Sequence, residues 1–208
     1  MSDGYFTVAE AKENLIVIER SKFICNVRPV VDEDDARAFI EEIRKKHSLA
    51  NHNCYAYIAD DKGLVQKFSD DGEPQGTAGL PMLNVLKNKR MYKTAVVVTR
   101  YFGGIKLGTG GLTRAYGGSV SECLAITKIA NMQRAVKFEL TADYDLYSKL
   151  VKFLVGDNLR VLNTDFADNV KVLIVIKADL ADSFSEKIVD LFNGKLVPVK
   201  VEELSFAF

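Results

Sequence analysis

A run of β-branched residues near the middle of the chain constrains the fold most. Thr94–Thr99 contains no charged residue and has the composition of a strand buried on both faces. A glycine-rich segment, Gly103–Gly111, follows it, and helical spacing of apolar residues covers Leu112–Ala130. The order strand, glycine loop and helix aims backbone N–H groups and the positive end of a helix dipole at an anion. The segment therefore predicts an anion-binding loop within an α and β domain.

The glycine loop lies in a long stretch without acidic side chains. No Asp or Glu occurs between Glu73 and Glu122, although the two types together account for 28 of the 208 residues. Basic residues in this stretch are Lys87, Lys89, Arg90, Lys93, Arg100, Lys106 and Arg114. Cations around a flexible glycine backbone favour phosphate binding. In the alternative interpretation, the glycines only permit positive backbone angles and tight packing of helix on sheet, without a ligand.

The predicted phosphate-binding or nucleic-acid-binding residues combine loop glycines, flanking cations and one aromatic side chain. They are Arg100, Tyr101, Gly103, Gly104, Lys106, Gly108, Gly110, Gly111 and Arg114. Alternation along a strand sends one of the adjacent rings Tyr101 and Phe102 inward and the other outward. An aromatic ring beside cations stacks on unpaired bases, and Tyr101 is assigned that role, whereas an inward ring belongs to the core.

Acidic residues are concentrated just upstream of the acid-free stretch, at Asp70-Asp71-Gly72-Glu73-Pro74. Asp70, Asp71 and Glu73 offer oxygen ligands for a Mg²⁺ ion shared with a phosphate on the glycine loop. Alternatively, the segment is a β-turn whose carboxylates cap backbone amides or pair with nearby cations. Neighbouring carboxylates point in different directions, which favours the turn. We therefore expect no bound metal and no cofactor.

His52 and Cys54 are two residues apart on a predicted strand, so their side chains face the same side. A nucleophile and its base can be arranged in this way. However, residues two apart on a strand are held about 7 Å apart at Cα, and a small buried cysteine is common. We expect His52 to line the site through packing or hydrogen bonding, and the sequence identifies no catalytic residue.

Composition argues against several classes of protein. The formal net charge is zero, so only a local patch can bind nucleic acid. Cys25, Cys54 and Cys123 are widely spaced and indicate neither a disulfide framework nor a zinc finger. No apolar run is long enough to span a bilayer, and Met1–Tyr5 lacks the start of a secretion signal. These features predict a cytoplasmic protein that does not bind membranes.

Two α+β domains are predicted, spanning residues 1–132 and 133–208. The first contains all the motifs described above, and no Pro/Ser-rich linker separates it from the second. The second reads strand, helix, strand, strand, helix, strand, which is the βαββαβ order of the ferredoxin-like motif. Its predicted elements are Ala135–Ala142, Tyr144–Val155, Leu159–Phe166, Val170–Lys177, Leu180–Phe192 and Leu196–Ser205.

Two long motifs carry a resemblance to a known family. Phe68–Pro81 reads FSDDGEPQGTAGLP, and Val96–Gly108 reads VVVTRYFGGIKLG. Leu112–Gly117 and His52–Cys54 extend the same pattern. Together these segments resemble the signature of the IMPACT/YigZ family.

The resemblance implies a first domain with the fold of ribosomal-protein domains, which elongation factor G uses as its fourth domain. It implies a ferredoxin-like second domain similar to the fifth domain of that factor. It also favours a non-catalytic protein that binds RNA or the ribosome and regulates translation. Two alternatives remain open, namely an enzyme that acts on a phosphorylated small molecule or nucleotide, and an adaptor that binds a protein partner.

Overall fold

A computed structural model describes residues 4–208 of the chain. Met1–Asp3, on which part of the secretion-signal prediction rests, lie outside the described residues. The described chain separates into two compact units, Tyr5–Ala130 and Asn131–Phe208, and Gly4 groups with the second. Both units combine helices with antiparallel strand pairs, which confirms the predicted α+β class.

The first unit is built on a sheet with the strand order β2-β3-β6-β4-β5, and all neighbouring strands are antiparallel. The strands up to residue 130 are β1 (Gly4–Val8), β2 (Lys12–Ile18), β3 (Ser21–Pro29), β4 (His52–Ile58), β5 (Gln66–Ser69) and β6 (Thr94–Tyr101). The helices are α1 (Glu33–Lys46), α2 (Gly79–Asn88) and α3 (Gly108–Ala125). Strand β1 was not predicted from the sequence.

Strand β6 is the central strand of this sheet and is buried from Thr94 to Arg100, as its β-branched run predicts. Helix α1 packs on one face of the sheet, where Phe39 and Ile40 join Val97 in one core. Helices α2 and α3 pack on the other face, where Met82 and Tyr116 join a second, larger core. Helices on both faces explain why successive side chains of β6 are apolar.

The sequence predicts a helix capped by Asp32, with Asp34 and Asp35 at its start and Lys45-Lys46 near its end, and α1 matches this prediction. Asp32 caps it, because its Oδ1 accepts a hydrogen bond from the Asp35 backbone N–H at 2.8 Å. Acidic residues occupy the first turn, and Arg44, Lys45 and Lys46 occupy the last, which complements the helix dipole.

Helix α3 differs from its predicted boundaries. The sequence predicts that this helix starts at Leu112, after the glycine segment. In the structure the helix begins at Gly108 and ends at Ala125. Glycine weakens a helix interior by about 1 kcal/mol relative to alanine, so the glycines argued against a helix here. Burial of Leu112, Tyr116 and Val120 against the sheet outweighs that preference. The true loop is therefore 102–107, and Gly108–Gly111 form the first turn of the helix.

The strands of the second unit pair in the order β10-β7-β9-β8, and each of these three pairs is antiparallel. Its elements are β7 (Ile129–Ala142), α4 (Tyr144–Leu150), β8 (Leu159–Phe166), β9 (Val170–Lys177), α5 (Ala181–Leu191) and β10 (Val199–Ala207). Their order is βαββαβ, as predicted. Both helices contribute to one core with the sheet, as Leu150 and Ile188 illustrate. Within residues 4–208, none of the helices is long and apolar enough to cross a membrane.

Candidate functional site

The segment that follows β6 is fixed against the turn between β2 and β3. A Cβ atom on Gly103 would lie 2.1 Å from the backbone carbon of Arg20, so only glycine allows this approach. The Gly103 N–H donates to Ser21 Oγ at 3.1 Å, and the Phe102 N–H donates to Asn51 Oδ1 at 2.9 Å. Gly103 thus has a structural role. This agrees with the alternative interpretation, in which the glycines permit close packing and bind no ligand.

The N-terminus of α3 has no side-chain cap and no acidic residue in its first turn. Its first N–H groups have no partners within the helix. Gly108 has a φ of +68°, and a Cβ there would meet no atom within 4 Å. The positive angle favours glycine, and the open space leaves the backbone exposed. This end of the helix therefore combines exposed N–H groups with the positive end of the dipole.

A cavity of ≈ 480 Å³ lies beside this helix end. It is lined by Ile18, Glu19, Ile105, Lys106, Leu107, Gly111, Arg114 and Ala115. We call it the helix-end cavity. Lys106 and Arg114 are both exposed, so their charges face solvent beside the backbone of Gly111. The structure thus brings together two of the predicted cations and one predicted glycine, with Glu19 as the acidic lining residue.

A second cavity, of ≈ 310 Å³, lies beside Phe102. It is lined by Arg20, Lys22, Ile24, His47, Tyr101 and Phe102. We call it the aromatic cavity. Phe102 is 45% exposed. Tyr101 is only partly exposed, and its hydroxyl forms a 3.0 Å hydrogen bond with His47 Nδ1.

Sequence reasoning did not identify Arg20 and Lys22, because about 80 residues separate them from Phe102 and no local motif marks them. The register places them together, since Lys22 of β3 lies directly opposite Tyr101 of β6. The sequence predicts strands Asn14–Glu19 and Lys22–Val30 joined by a turn at Arg20-Ser21. In the structure the turn lies one residue earlier. Glu19 and Arg20, not Arg20 and Ser21, connect the two strands, and both have positive φ angles, of 45° and 63°.

Arg100 is buried, although it was predicted to contact a phosphate. Its Nη1 donates to Glu73 Oε1 at 2.7 Å, and its Nη2 donates to Ser21 Oγ at 3.4 Å. Its guanidinium also lies 5.4 Å from the ring centroids of Phe23 and Phe102. Arg100 therefore faces internal partners and does not line either cavity.

The seven cations of the acid-free stretch do not form one patch. Lys87 and Lys89 lie at the C-terminal end of α2, and Lys93 immediately precedes β6. Lys106 and Arg114 follow the opposite end of β6. Eight residues of extended strand span roughly 27 Å, so the two groups of cations are well separated. Only the second group adjoins the exposed helix end.

Asp70 organises the acidic turn through its side chain. Its Oδ2 accepts a hydrogen bond from the Gly76 N–H at 2.8 Å, and its Oδ1 accepts from the N–H groups of Ala78 and Gly79 at 3.0 and 2.9 Å. These amides lie at the start of α2 and just before it. The carboxylate thus stabilises the otherwise unpaired beginning of the helix.

Asp71 connects the turn to β4 and α1. Its Oδ2 accepts from the Asn53 N–H at 2.7 Å, and its Oδ1 accepts from Arg44 Nη2 at 3.2 Å. The Asp71 carbonyl lies 2.8 Å from His52 Nδ1. A carbonyl only accepts, so this contact places a proton on Nδ1. Nε2 of His52 points towards Glu73, whose Oε1 is 3.9 Å away.

Glu73 is the buried centre of this region, and its side chain is only 3% exposed. Besides the Arg100 bond, Oε1 accepts from the Tyr116 hydroxyl at 2.7 Å. Burial raises the pKa of Tyr116 well above its usual value, so the hydroxyl stays protonated. Arg100 and Tyr116 thus tie the acidic turn to β6 and α3.

These contacts argue against a Mg²⁺ ion between the turn and the loop. Each of the three carboxylates has internal partners, and none of them lines the helix-end cavity. Among residues 4–208, no group of three or more His, Cys, Asp or Glu side chains is arranged to hold a metal ion. The turn interpretation therefore fits the observed hydrogen bonds, whereas the shared-metal interpretation does not.

The Cys54 thiol is buried and donates to the Asp70 carbonyl at 3.0 Å. Burial raises the pKa of this thiol well above its usual value. A thiol that stays protonated is a poor nucleophile, so the structure does not support a Cys54–His52 pair. Cys25 and Cys123 are also buried free thiols, as expected for a chain without a disulfide framework.

Comparisons with known proteins agree with the motifs. The Impact N-terminal domain matches residues 19–124, and a domain of unknown function, DUF1949, matches residues 140–195. A solved structure described as the crystal structure of a hypothetical protein is 32% identical, with a TM-score of 0.62. The match covers 97% of this chain and 99% of that one.

Two curated bacterial relatives cover most of the chain, and a eukaryotic relative covers less than half of it. The IMPACT family member YvyE of Bacillus subtilis is 44% identical over 99% of this chain and 94% of its own length. The IMPACT family member YigZ of Escherichia coli is 35% identical over 89% of this chain and 92% of its own length. Protein IMPACT of Oryctolagus cuniculus is 35% identical over 45% of this chain and 30% of its own length. Both domain matches and these relatives show that the chain belongs to the IMPACT family.

Proposed function

We propose that this protein binds RNA, alone or in the ribosome, through the phosphate backbone and thereby takes part in the regulation of translation. The observation that carries the proposal is the helix-end cavity, where Lys106 and Arg114 flank the uncapped N-terminus of α3. Backbone N–H groups, a helix dipole and two exposed cations are the groups that hold phosphate oxygens. The backbone of Gly108, Gly110 and Gly111 supplies the helix end, and Gly104 gives the loop its positive φ.

The net charge favours a local contact over general coating of nucleic acid. The chain has a formal charge of zero, and the cations at the far end of β6 are separate from the helix end. Two side-chain contacts to phosphates predict a modest salt dependence, because each contact contributes about 0.7 to the slope for a single strand. This surface therefore fits a limited number of phosphates.

The observed folds suit the same proposal. We propose that the second unit is ferredoxin-like, because it has the βαββαβ order and the strand order β10-β7-β9-β8. For the first unit we propose the ribosomal-protein fold that the fourth domain of elongation factor G also has. Its antiparallel sheet with helices on both faces supports that assignment.

No observation supports either alternative function, an enzyme or a protein adaptor, as strongly as the helix-end cavity supports phosphate binding. An enzyme that uses Mg²⁺ needs free carboxylates beside the loop, whereas Asp70 binds three backbone amides and Glu73 binds Arg100. A protein adaptor needs a docking surface, and the charged groups described here fit phosphates better than an apolar partner. Binding of a protein instead of RNA is one outcome of the test below.

The test measures binding of labelled RNA and of purified ribosomes at two salt concentrations. We expect the Lys106→Ala/Arg114→Ala variant to bind more weakly and to show a salt slope smaller by about 1.4 for single-stranded RNA. The matched control is Lys87→Ala/Lys89→Ala, which removes the same charge from the same acid-free stretch at the other end of β6.

The control variant is expected to bind like the wild type. Negligible binding of RNA and ribosomes by the wild type at low salt would refute the proposed function. Equal losses in the two double variants would also refute it, because binding would then depend on overall charge and not on the helix end.

A further inference from the structure

We infer that the aromatic cavity is a stacking site for an unpaired base, so that the nucleic acid bound at this surface is single-stranded. This inference rests on the proposed function, because the loop 102–107 lines both cavities. It extends the proposed function, because it assigns single-stranded nucleic acid as the ligand and adds a second binding site.

Phe102 is an exposed ring held in one place. Although 45% of the residue is exposed, Asn51 fixes its backbone N–H, and the Arg100 guanidinium lies 5.4 Å from the ring centroid. Arg100 is itself held by Glu73 at 2.7 Å. A ring fixed in this way loses little conformational freedom when a flat ligand stacks on it. Stacking on an aromatic side chain is the usual way in which proteins bind unpaired bases.

His47 and Tyr101 also line the cavity. Their side chains share a 3.0 Å hydrogen bond, and their ring centroids are 6.0 Å apart. Burial and the neighbouring Lys46 lower the pKa of His47, which favours the neutral ring. His47 Nε2 is buried without a hydrogen-bond partner among residues 4–208. Together with Ile24 and Phe102, these rings give the cavity apolar and aromatic lining surface, which suits a base.

Two of the residues that line the cavity carry positive charge. Arg20 and Lys22 are exposed, and no acidic residue of the described chain lines the cavity. Its volume of ≈ 310 Å³ is at the lower end of the range of about 300–1,000 Å³ for small-ligand sites. An aromatic cavity of this size with two exposed cations in its lining fits one base together with the phosphates that flank it.

The two cavities are close enough for one short strand. Phe102 lines the aromatic cavity and Lys106 lines the helix-end cavity. Four residues span at most about 14 Å. A strand of a few nucleotides can therefore place a base against Phe102 and a phosphate at the N-terminus of α3. A duplex cannot do this, because its bases are stacked on one another and offer only their edges.

The test compares three labelled probes by fluorescence anisotropy: an unstructured 12-nucleotide RNA, a 12-base-pair RNA duplex, and the single strand with abasic residues. We expect the wild type to bind the single strand more tightly than the other two. Phe102→Ala is expected to weaken binding of the single strand by about tenfold, within the range for loss of one stacking contact. Its salt slope should stay unchanged, because no charge is removed.

Two further variants separate stacking from packing. Phe102→Trp retains an aromatic face and is expected to bind like the wild type, whereas Phe102→Leu keeps apolar bulk and is expected to bind like Phe102→Ala. Phe68→Ala removes a ring of comparable exposure, 39%, from β5 and serves as the matched control. Circular dichroism and urea unfolding establish that each variant is folded.

The outcomes distinguish this inference from the proposed function. If the single strand binds but Phe102→Ala has no effect, or the abasic strand binds equally well, the stacking site is refuted and phosphate binding stands. Preference for the duplex also refutes it. If the wild type binds none of the three probes and no ribosomes at low salt, the proposed function fails, and the stacking site fails with it.

Discussion

The acidic turn, Asp70–Glu73, and the glycine loop, 102–107, belong to the same family signature, but their charged groups differ in surroundings. Those of the turn face internal partners, and those beside the loop face solvent. The carboxylates of the turn face backbone amides, Arg100 and Tyr116. The cations beside the loop, Lys106 and Arg114, face solvent at an uncapped helix end. Charge density in the sequence therefore does not by itself identify a binding surface.

The difference lies in how the unpaired backbone N–H groups at the start of each neighbouring helix are treated. Helix α2 starts beside a carboxylate of its own chain, since Asp70 accepts from the amides of Ala78 and Gly79. Helix α3 starts at Gly108 with no acidic side chain in its first turn. The first helix end is thus neutralised by a side chain of its own chain, whereas the N-terminus of α3 has no side-chain cap.

The largest expected effect is that of Glu73→Gln on stability. The substitution leaves the Arg100 guanidinium buried at 6% exposure without its counter-charge, which typically lowers the free energy of unfolding by about 3–5 kcal/mol. Urea unfolding measures it, with Glu122→Gln on the exposed face of α3 as the control. A loss equal to that of the control would show that the turn does not stabilise the fold.

A smaller loss is expected for Asp70→Asn. The amide keeps the size of the side chain but cannot accept all three backbone hydrogen bonds. We expect the free energy of unfolding to fall by about 2 kcal/mol. The same urea experiment measures it, and Asp61→Asn, in an exposed bend, is the control. Unchanged stability with altered metal binding would instead favour the Mg²⁺ interpretation of the turn.

The loop variant Lys106→Ala/Arg114→Ala should have almost no effect on stability. Both side chains are exposed, and surface substitutions of this kind usually change the free energy of unfolding by less than about 0.5 kcal/mol. Its effect should appear in RNA binding alone. A stability loss comparable to that of Glu73→Gln would show that the cations beside the glycine loop stabilise the fold as the acidic turn does.

The smallest expected effect concerns pH and His47, which lines the aromatic cavity. Because the pKa of His47 is lowered in the folded protein, the unfolded chain binds more protons than the folded protein once the pH falls below about 6.5. Stability contributed by this residue is therefore present above that pH and decreases as the pH falls further. Urea unfolding from pH 7.5 to 5.5 should show a slightly steeper loss for the wild type than for His47→Gln. Parallel pH profiles would contradict the lowered pKa.

Sequence reasoning located most elements because their local signals agree with the tertiary structure. The capping of α1 by Asp32, the buried β6 and the strands Leu159–Phe166 and Val170–Lys177 follow from capping, composition and turn residues. The start of α3 could not be predicted in this way, because packing outweighs the low helix propensity of glycine. Recognition of the family likewise depends on local motifs, and the comparisons confirm it.

Local patterns in the sequence determined the order of most elements, the α+β class and the family, since each depends on neighbouring residues. Only the tertiary structure decided which charges face solvent. Pairing of β3 with β6 brings Lys22 beside Tyr101, and the packing of α3 on the sheet places Tyr116 on Glu73. Burial and hydrogen bonding depend on residues that are distant in the chain, and these contacts separate the internal carboxylates from the exposed cations.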